Sequence, residues 1–322
     1  MIIVTGGAGF IGSNIVKGLN DRGCSDILIV DDLGSDEKYR NLVGLRYADY
    51  CHKDKFLAEV ADGGFRAAPV EAIFHQGACS DTMEYNCNYV MANNYEYSKT
   101  LLHFCLERKI PYLYASSAST YGAGERGFRE EEACEGALNP YAFSKLDFDR
   151  YVRRLLPQTT SMVVGLKYFN VYGPQEHHKG RMASIVYQLY RQASESGVVK
   201  LFKGIDGYGD GEQKRDFIYV KDVVKVNFHF FDKGGRSGVY NCGTGEAQTF
   251  NAVASAVIQA SGKGRIEYID FPEVLRGKYQ SFTEADLSKL REAGYREPFT
   301  GLAAAVADYV GLLKATGGYY RL

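Results

Sequence analysis

Residues 2–12 read Ile-Ile-Val-Thr-Gly-Gly-Ala-Gly-Phe-Ile-Gly, an apolar run that leads directly into closely spaced glycines. The β-branched run predicts a buried strand, and the glycines predict a tight turn at its end. Apolar residues recur at helical spacing over residues 11–19, and a second apolar run at 27–30 is followed by Asp31. The order of strand, glycine turn, helix, strand and acid predicts a βαβ unit at the start of the chain.

The glycines match the G-x-G-x-x-G pattern at Gly7, Gly9 and Gly12. Alone the pattern is weak, because an ordinary glycine-rich turn also produces it. Between a strand and a helix, with a carboxylate about 20 residues further on, it indicates dinucleotide binding. Backbone N–H groups at the positive end of the helix can then hold a pyrophosphate. The predicted cofactor contacts in this stretch are Gly6, Gly9, Phe10, Ile11 and Gly12.

The composition limits the classes of protein to consider. The chain has 322 residues, of which 45% are hydrophobic, with 38 basic and 39 acidic side chains. This length predicts one large domain or two closely joined ones, and the balanced charge does not indicate a nucleic-acid or membrane partner. Met1 leads straight into the first strand, and no apolar run approaches the roughly 20 residues that span a bilayer, so a cytoplasmic protein is expected. The seven cysteines are scattered, which predicts reduced thiols and no metal site.

The adenosine ribose is expected just beyond the second strand. An acid there hydrogen-bonds the ribose hydroxyls and favours NAD, whereas a cation accommodates the 2′-phosphate of NADP. The acids are Asp31 and Asp32, and the candidate cations are Lys38 and Lys53. Either lysine alone is better explained as a surface residue, so the residues themselves leave the choice open.

Further strands alternate with helices through the first half of the chain. Strands are predicted at 70–75 and 111–115, and helices at 54–60 and 93–109. This alternation predicts an α/β fold with a parallel, doubly wound sheet whose ligands lie at the carboxyl ends of the strands. Small residues that suit close passage of a cofactor follow the first of these strands: Gln76, Gly77, Ala78, Cys79 and Ser80.

The most informative chemical pattern is Asn-Pro-Tyr-Ala-Phe-Ser-Lys at residues 139–145. Pro140 suits the first position of a helix, so Tyr141 and Lys145 are predicted to project from the same face. A phenol with a pKa of about 10 is a poor base, and a neighbouring ammonium together with an oxidised nicotinamide is expected to lower that pKa. A chance pair on a helix is the alternative. The dinucleotide pattern, together with Ser117 after the preceding strand, favours a catalytic pair.

Four segments together resemble the extended short-chain dehydrogenase/reductase family that acts on nucleotide sugars. They are Gly6-x-x-Gly9-x-x-Gly12, residues 116–122, Tyr141-x-x-x-Lys145 and residues 169–174. The resemblance covers essentially the whole chain. It implies an NADP-binding Rossmann domain over residues 1–170, to which the chain returns around 214–243, and a smaller α/β substrate-binding domain mainly over 171–322. It also implies NADP in preference to NAD, a nucleotide-sugar substrate and a homo-oligomer, with a pentamer expected.

The resemblance also places roles on individual residues. Tyr141 is implied as one acid/base group, with Lys145 holding the nicotinamide ribose and tuning Tyr141, while Ser117 hydrogen-bonds the reacting hydroxyl. Lys179 is implied as the second acid/base group on the opposite face, although from the sequence alone it is a surface lysine. The remaining implied cofactor contacts are Asn93 and Val171. The implied substrate contacts, besides Ser117 and Lys179, are Asn170, Arg181, Gln188, Phe202, Lys203, Gly204, Arg215 and Tyr279.

Arg215 has two explanations of equal weight without the family. Its guanidinium fork suits the diphosphate of a nucleotide sugar, as the resemblance implies. The alternative is a structural salt bridge to Asp210 or Asp216.

Shorter segments are similar to the branch of the family that epimerises an ADP-linked heptose at C6 for lipopolysaccharide inner-core biosynthesis. These segments are residues 1–20, 74–80, 178–184, 214–217 and 279–282. The implied reaction oxidises C6 to a ketone and returns hydride to the other face. A 4-epimerase or 4,6-dehydratase acting on a UDP- or dTDP-sugar is the alternative, although residues 117–120 lack the Asp-Glu pair of a dehydratase. A non-catalytic NADP-binding scaffold is the alternative outside the enzymes.

Overall fold

The structure, a computed structural model, describes residues 1–34, 37–65, 69–273 and 279–321. Seven parallel strands form its central sheet: β1 (Ile2–Thr5), β2 (Ile27–Asp31), β3 (Asp49–His52), β4 (Ala72–His75), β5 (Tyr112–Ser117), β6 (Val163–Tyr168) and β10 (Gly238–Cys242). Their spatial order is β10-β6-β5-β4-β1-β2-β3, and every pairing is parallel. The predicted α/β fold with a doubly wound parallel sheet is confirmed.

Helices connect these strands and cover the sheet. They are α1 (Phe10–Asp21), α2 (Arg40–Val43), α3 (Lys53–Ala61), α4 (Cys87–Met91), α5 (Tyr97–Arg108), α6 (Pro140–Leu155) and α8 (Val220–Lys233). Strands β1 and β2 are buried along their whole length, as expected for a sheet covered on both faces. The helix predicted over 93–109 begins earlier, at Cys87, because Asn86 caps α4, and a π-helical segment at Ala92–Glu96 joins α4 to α5.

Two small sheets lie beyond β6. A three-stranded sheet has the order β11 (Ala247–Thr249), β9 (Lys214–Tyr219) and β7 (Asn170–Tyr172), and a two-stranded one pairs β12 (Arg265–Ile269) with β8 (Val198–Phe202). The helices here are α7 (Ile185–Glu195), α9 (Phe250–Ser261), α10 (Ser288–Glu292) and α11 (Leu302–Thr316). The apolar faces of α7, α9 and α11 form a second buried cluster that includes Val186, Leu189, Val253 and Val306. A division of the chain at residue 170 stays a prediction.

The order of the central sheet places a crevice beside β1. Thr5 at the end of β1 pairs with Val30 of β2 on one side and with His75 of β4 on the other. The glycine turn, the segment after β4 and Asp31 therefore emerge side by side at the carboxyl ends of the strands. Ligands of doubly wound sheets bind at this kind of point, where the strand order reverses.

Within the described ranges, no helix combines the length and the apolar character needed to cross a membrane.

Candidate active site

The glycine turn after β1 packs too tightly for side chains. Gly6 has a φ of +65°, and a Cβ there would lie 2.6 Å from the Gly77 nitrogen. A Cβ on Gly12 would lie 2.1 Å from the Gly6 carbonyl oxygen. The close packing of the glycine turn against the segment after β4 and against the start of α1 therefore requires glycine at positions 6 and 12, as expected for a dinucleotide turn.

Asp31 and Lys38 meet at the end of β2. One Asp31 oxygen accepts a 2.8 Å hydrogen bond from the Ala8 N–H in the glycine turn, and the other accepts a 2.6 Å bond from Lys38 Nζ. Lys53 directly follows His52, the last residue of β3, which pairs in register with Asp31. The Lys53 ammonium lies 2.6 Å from Asp54. Asp32 is exposed and accepts a hydrogen bond from the Gly34 N–H. Both predicted cations therefore lie on segments that leave the carboxyl ends of β2 and β3.

The segment after β4 is fixed by a residue that the sequence reasoning missed. Asn94 is buried, accepts a 2.7 Å hydrogen bond from the Cys79 N–H and donates to the Cys79 carbonyl oxygen at 2.9 Å. Its neighbour Asn93, the predicted contact, donates to the Tyr89 carbonyl oxygen within its own helix. Gln76 accepts from the Tyr168 hydroxyl at 3.0 Å, while its buried amide nitrogen has no hydrogen-bond partner within the described residues.

Ser117, Tyr141 and Lys145 come together as predicted. Ser117 ends β5, and α6 begins at Pro140 after an Asn139 cap, which places Tyr141 in its first turn. The Tyr141 phenol lies close enough to the Ser117 side chain for the two to interact. Lys145 is buried one turn further along α6, and its ammonium donates a 2.8 Å hydrogen bond to the Ala115 carbonyl oxygen of β5.

Burial raises the pKa of Tyr141 above its usual value, and the nearby Ser117 side chain opposes this rise. In the protein alone, desolvation of the phenolate therefore outweighs the groups that stabilise it. The lowering expected from Lys145 together with an oxidised nicotinamide stays a prediction. Burial also lowers the pKa of Lys145 to about 8, against the attraction of Asp149.

Lys179 lies beside the glycine turn. It belongs to the 3-10 turn His177–Met182, and its ammonium is 5.3 Å from the centre of the Phe10 ring at the start of α1. Burial lowers the pKa of Lys179, and the charge of Glu176 opposes this shift. The same turn reaches the segment after β4, because Arg181 forms a 3.1 Å ion pair with Asp81. The Lys179 side chain is half-buried, so it is neither a fully exposed surface lysine nor a core residue.

Arg215 is buried on β9 and faces aromatic rings. Its guanidinium carbon lies 4.7 Å from the centre of the Tyr279 ring, and one of its terminal nitrogens has no hydrogen-bond partner within the described ranges. Asp216 instead accepts hydrogen bonds from Thr244, Gly245 and Ala285. In the described part of the chain Arg215 forms no salt bridge, so that alternative is wrong.

The other predicted contacts with substrate or cofactor lie in three places. Phe202 and Tyr279 are linked through Phe271, a ring that sequence reasoning missed, with centroid distances of 5.3 Å on both sides. Lys203, which directly precedes Gly204, is exposed and forms a 2.8 Å ion pair with Asp270. Near Lys179, Gln188 donates to the Gly180 carbonyl oxygen at 2.8 Å. Asn170 and Val171 lie on β7, whose partner strand β9 carries Arg215.

A buried ionic network behind Ser117 was also missed. Lys167 of β6 has no exposed surface, and its ammonium lies 2.8 Å from Asp149 and 3.1 Å from Glu135. It also donates to the Thr120 hydroxyl at 2.6 Å, and Thr120 in turn donates to the Ser117 carbonyl oxygen at 2.7 Å. A single lysine in an apolar strand is the only sequence signal for this network.

Metal ligands are not grouped at this site. Within the described residues, no cluster of three or more His, Cys, Asp or Glu side chains could hold a metal ion, and all seven cysteines are free.

Comparison with known proteins agrees with this geometry. The chain is 52% identical over 321 residues to ADP-L-glycero-D-manno-heptose-6-epimerase of Brachyspira hyodysenteriae, with 99% of each chain covered. The Helicobacter pylori ADP-L-glycero-D-manno-heptose-6-epimerase structure superposes with a TM-score of 0.82 at 30% identity, covering 98% of this chain and 96% of that one. The UDP-glucose 4-epimerase of Thermus thermophilus, solved with NAD, gives a TM-score of 0.78 at 28% identity, covering 98% and 99%.

A sequence profile of the NAD dependent epimerase/dehydratase family matches residues 2–243. The match includes the glycine turn, Ser117, the Tyr141–Lys145 pair, Lys179 and Arg215. The chain therefore belongs to the NAD dependent epimerase/dehydratase family.

Proposed function

We propose that this chain converts ADP-D-glycero-D-manno-heptose into its L-glycero epimer at C6, as a step of lipopolysaccharide inner-core biosynthesis. The observation that carries the proposal is the placement of two half-buried proton-carrying groups, Tyr141 in the first turn of α6 beside Ser117 and Lys179 beside Phe10 at the start of α1. Epimerisation through a ketone needs a proton to leave on one face and another to arrive on the opposite face. The 52% identical relative, which carries the name of this activity, supports the choice of substrate.

The residues of this chain fit a bound nicotinamide dinucleotide. No side chain caps the start of α1 at Gly9, so the N–H groups of Phe10 and Ile11 suit a pyrophosphate. When bound, the cofactor supplies reversible hydride transfer. Lys145 is proposed to hold the nicotinamide ribose, and the position of Lys38 beside Asp31 supports the proposal of NADP over NAD. Because the related Thermus 4-epimerase was solved with NAD, NAD remains the alternative cofactor.

The two pKa shifts suggest how the proton steps are divided. Burial lowers the pKa of Lys179, which favours accepting the hydroxyl proton as C6 is oxidised. Burial raises the pKa of Tyr141, which favours donating a proton to the ketone oxygen after the ketone has presented its other face. Ser117, which lies beside Tyr141, is proposed to hydrogen-bond the reacting hydroxyl. In the reverse direction the two groups exchange tasks.

The rest of the proposal concerns binding and assembly. Arg215 is proposed to bind the diphosphate of the nucleotide sugar, because its guanidinium contacts Tyr279 and one of its nitrogens has no hydrogen-bond partner among the described residues. Residues 171–322 are proposed to form most of the substrate-binding domain. A cytoplasmic location and a homo-oligomer, with a pentamer expected, belong to the same proposal and rest on the family resemblance.

The test is incubation of the purified protein with ADP-D-glycero-D-manno-heptose in D₂O, followed by NMR of C6. Conversion to the L-glycero epimer without deuterium at C6 is expected, because hydride returns to the carbon from which it came. Deuterium at C6 would contradict internal return. No conversion, followed by turnover of a UDP- or dTDP-sugar, would reassign the protein to 4-epimerases or dehydratases. Retained NADP without turnover of any nucleotide sugar would indicate a scaffold.

A further inference from the structure

Glu176 is a fully buried acid three residues before Lys179. Its carboxylate accepts hydrogen bonds from the Gly173 N–H at 3.3 Å and from the Tyr309 hydroxyl at 3.0 Å. Ser184 donates two more, from its N–H at 2.5 Å and from its hydroxyl at 2.7 Å. All four contacts come from donors, which matches the hydrogen-bonding capacity of an ionised carboxylate.

These partners surround the turn that carries Lys179. Gly173 precedes the turn His177–Met182 and Ser184 follows it, so one carboxylate ties both ends together. The Lys179 N–H also donates to the Glu176 carbonyl oxygen at 3.0 Å. Tyr309 belongs to α11, whose buried face packs in the second apolar cluster. The turn is therefore anchored through Glu176 to a rigid helix.

We propose that Glu176 is a positioning residue for Lys179, and that its bridge between Gly173, Ser184 and Tyr309 holds the Lys179 ammonium beside Phe10. This inference rests on the proposed function, in which Lys179 is the second acid/base group. Nothing in the sequence singles out Glu176, because its partners are separated from it by up to 133 positions.

The electrostatics support the same role. Burial lowers the pKa of Lys179, and Glu176 is the charged group that opposes this shift. Conversely, burial raises the pKa of Glu176, and the groups that oppose it are Lys179, Ser184 and Tyr309. The Glu176 charge also raises the pKa of Tyr309 and of Tyr187 on α7. Removing this charge would leave the effect of burial on Lys179 unopposed and lower its pKa further.

The test is Glu176→Gln, which keeps the size of the side chain, removes its charge and sets an amide N–H against a backbone donor. We expect kcat with ADP-D-glycero-D-manno-heptose to fall about 10- to 100-fold, because small displacements of catalytic groups cost this much. A second measurement is competitive labelling of Lys179 with acetic anhydride across pH, read by mass spectrometry. In Glu176→Gln the midpoint of the Lys179 labelling profile should lie at lower pH than in the wild-type protein. Glu195→Gln is the matched control, since Glu195 is exposed on α7 and pairs with Arg191.

The outcomes separate this inference from the proposed function. If Lys179→Met abolishes turnover while Glu176→Gln keeps the wild-type kcat and labelling midpoint, the inference is overturned and the proposed function stands. If Lys179→Met turns over normally, the role of Lys179 in the proposed function fails. If Glu176→Gln does not fold, Tyr309→Phe replaces it, because it removes one anchor and leaves the charge. For Tyr309→Phe, a few-fold loss of kcat without a shift of the labelling midpoint supports the inference, and an unchanged kcat overturns it.

Discussion

Lys38 Nζ lies 2.6 Å from Asp31 Oδ1, so the cation proposed for a 2′-phosphate is held by the acid at the end of β2. The other Asp31 oxygen is engaged by the Ala8 N–H, and the Asp32 N–H also reaches Oδ1 at 2.7 Å. With these partners the carboxylate is less open to ribose hydroxyls than a free acid is. The proposed preference for NADP rests on this arrangement.

Lys38→Ala should weaken NADP binding about 10- to 100-fold, because a hydrogen bond to a charged group contributes about 1.5–3 kcal/mol. NAD lacks the 2′-phosphate, so its affinity should change much less. Titration calorimetry with NADP and with NAD measures the affinity of the wild-type protein and of the variant for each cofactor. Lys55→Ala is the matched control, since Lys55 is exposed and lies 3.8 Å from Glu59 on α3. An equal loss for both cofactors would rule out a phosphate contact by Lys38.

Tyr141→Phe should lower kcat about 10²- to 10⁴-fold while cofactor content stays unchanged, because only the phenolic oxygen is removed and the ring packing survives. Turnover and bound cofactor are measured on the same preparation. Tyr151→Phe is the control on the same helix, since its hydroxyl contacts His103 at 2.6 Å on the exposed side. Turnover of Tyr141→Phe close to that of the control would exclude the tyrosine as an acid/base group.

The sequence predicts those parts of the fold that follow from local patterns. Strands β1 and β2 are continuous apolar runs beside a glycine turn, so their type and order follow directly from the residues. Strand β3 does not, because Asp-Tyr-Cys-His at Asp49–His52 is a half-exposed strand at the sheet edge and has no apolar run. The early start of α4 depends on the Asn86 cap, and the residues after it show no regular helical spacing of apolar side chains.

The residues of the site likewise divide into those that a local pattern predicts and those that only the tertiary structure reveals. Tyr141 and Lys145 belong to one compact motif and Ser117 ends the preceding strand β5, and the fold brings the three together as predicted. Glu176 and Lys167 could not be predicted, because a charged residue looks exposed until the partners that bury it are known. The rise of the Tyr141 pKa in the protein alone could not be predicted for a related reason, since desolvation depends on tertiary packing and not on helical spacing.

His75 gives a prediction about stability. Its Nδ1 lies 2.6 Å from the Thr5 hydroxyl and its Nε2 lies 2.8 Å from the Ser98 hydroxyl. Since Ser98 donates to the Asn94 carbonyl oxygen, it accepts from Nε2–H, and Nδ1 accepts from Thr5. The ring is thus neutral and buried, and desolvation lowers its pKa to about 3.

Between pH 6.5 and 3 the unfolded chain binds a proton on His75 that the folded chain does not bind. Folding stability should therefore decrease as the pH falls through this range, by about 1.4 kcal/mol per pH unit relative to His75→Gln. Above pH 6.5 the free energies of unfolding of the two proteins should change with pH in the same way. The variant should be less stable throughout, because the chain of hydrogen bonds is broken. Urea unfolding at a series of pH values measures the difference. Parallel profiles below pH 6.5 would show that His75 is not held neutral by the fold.

Lys167→Met should reduce the free energy of unfolding by about 3–5 kcal/mol, because it leaves the buried carboxylates of Asp149 and Glu135 without their shared cation. Lys221→Met is the control, since Lys221 and Asp308 form a 2.7 Å pair that is half exposed, and its loss should cost at most about 1 kcal/mol. Urea unfolding at neutral pH measures both. Arg153 remains bonded to Glu135, so the uncompensated charge falls mainly on Asp149, which also holds the Ser116 hydroxyl at 2.6 Å. A loss no larger than that of the control would mean that Lys167 is not needed to balance these acids.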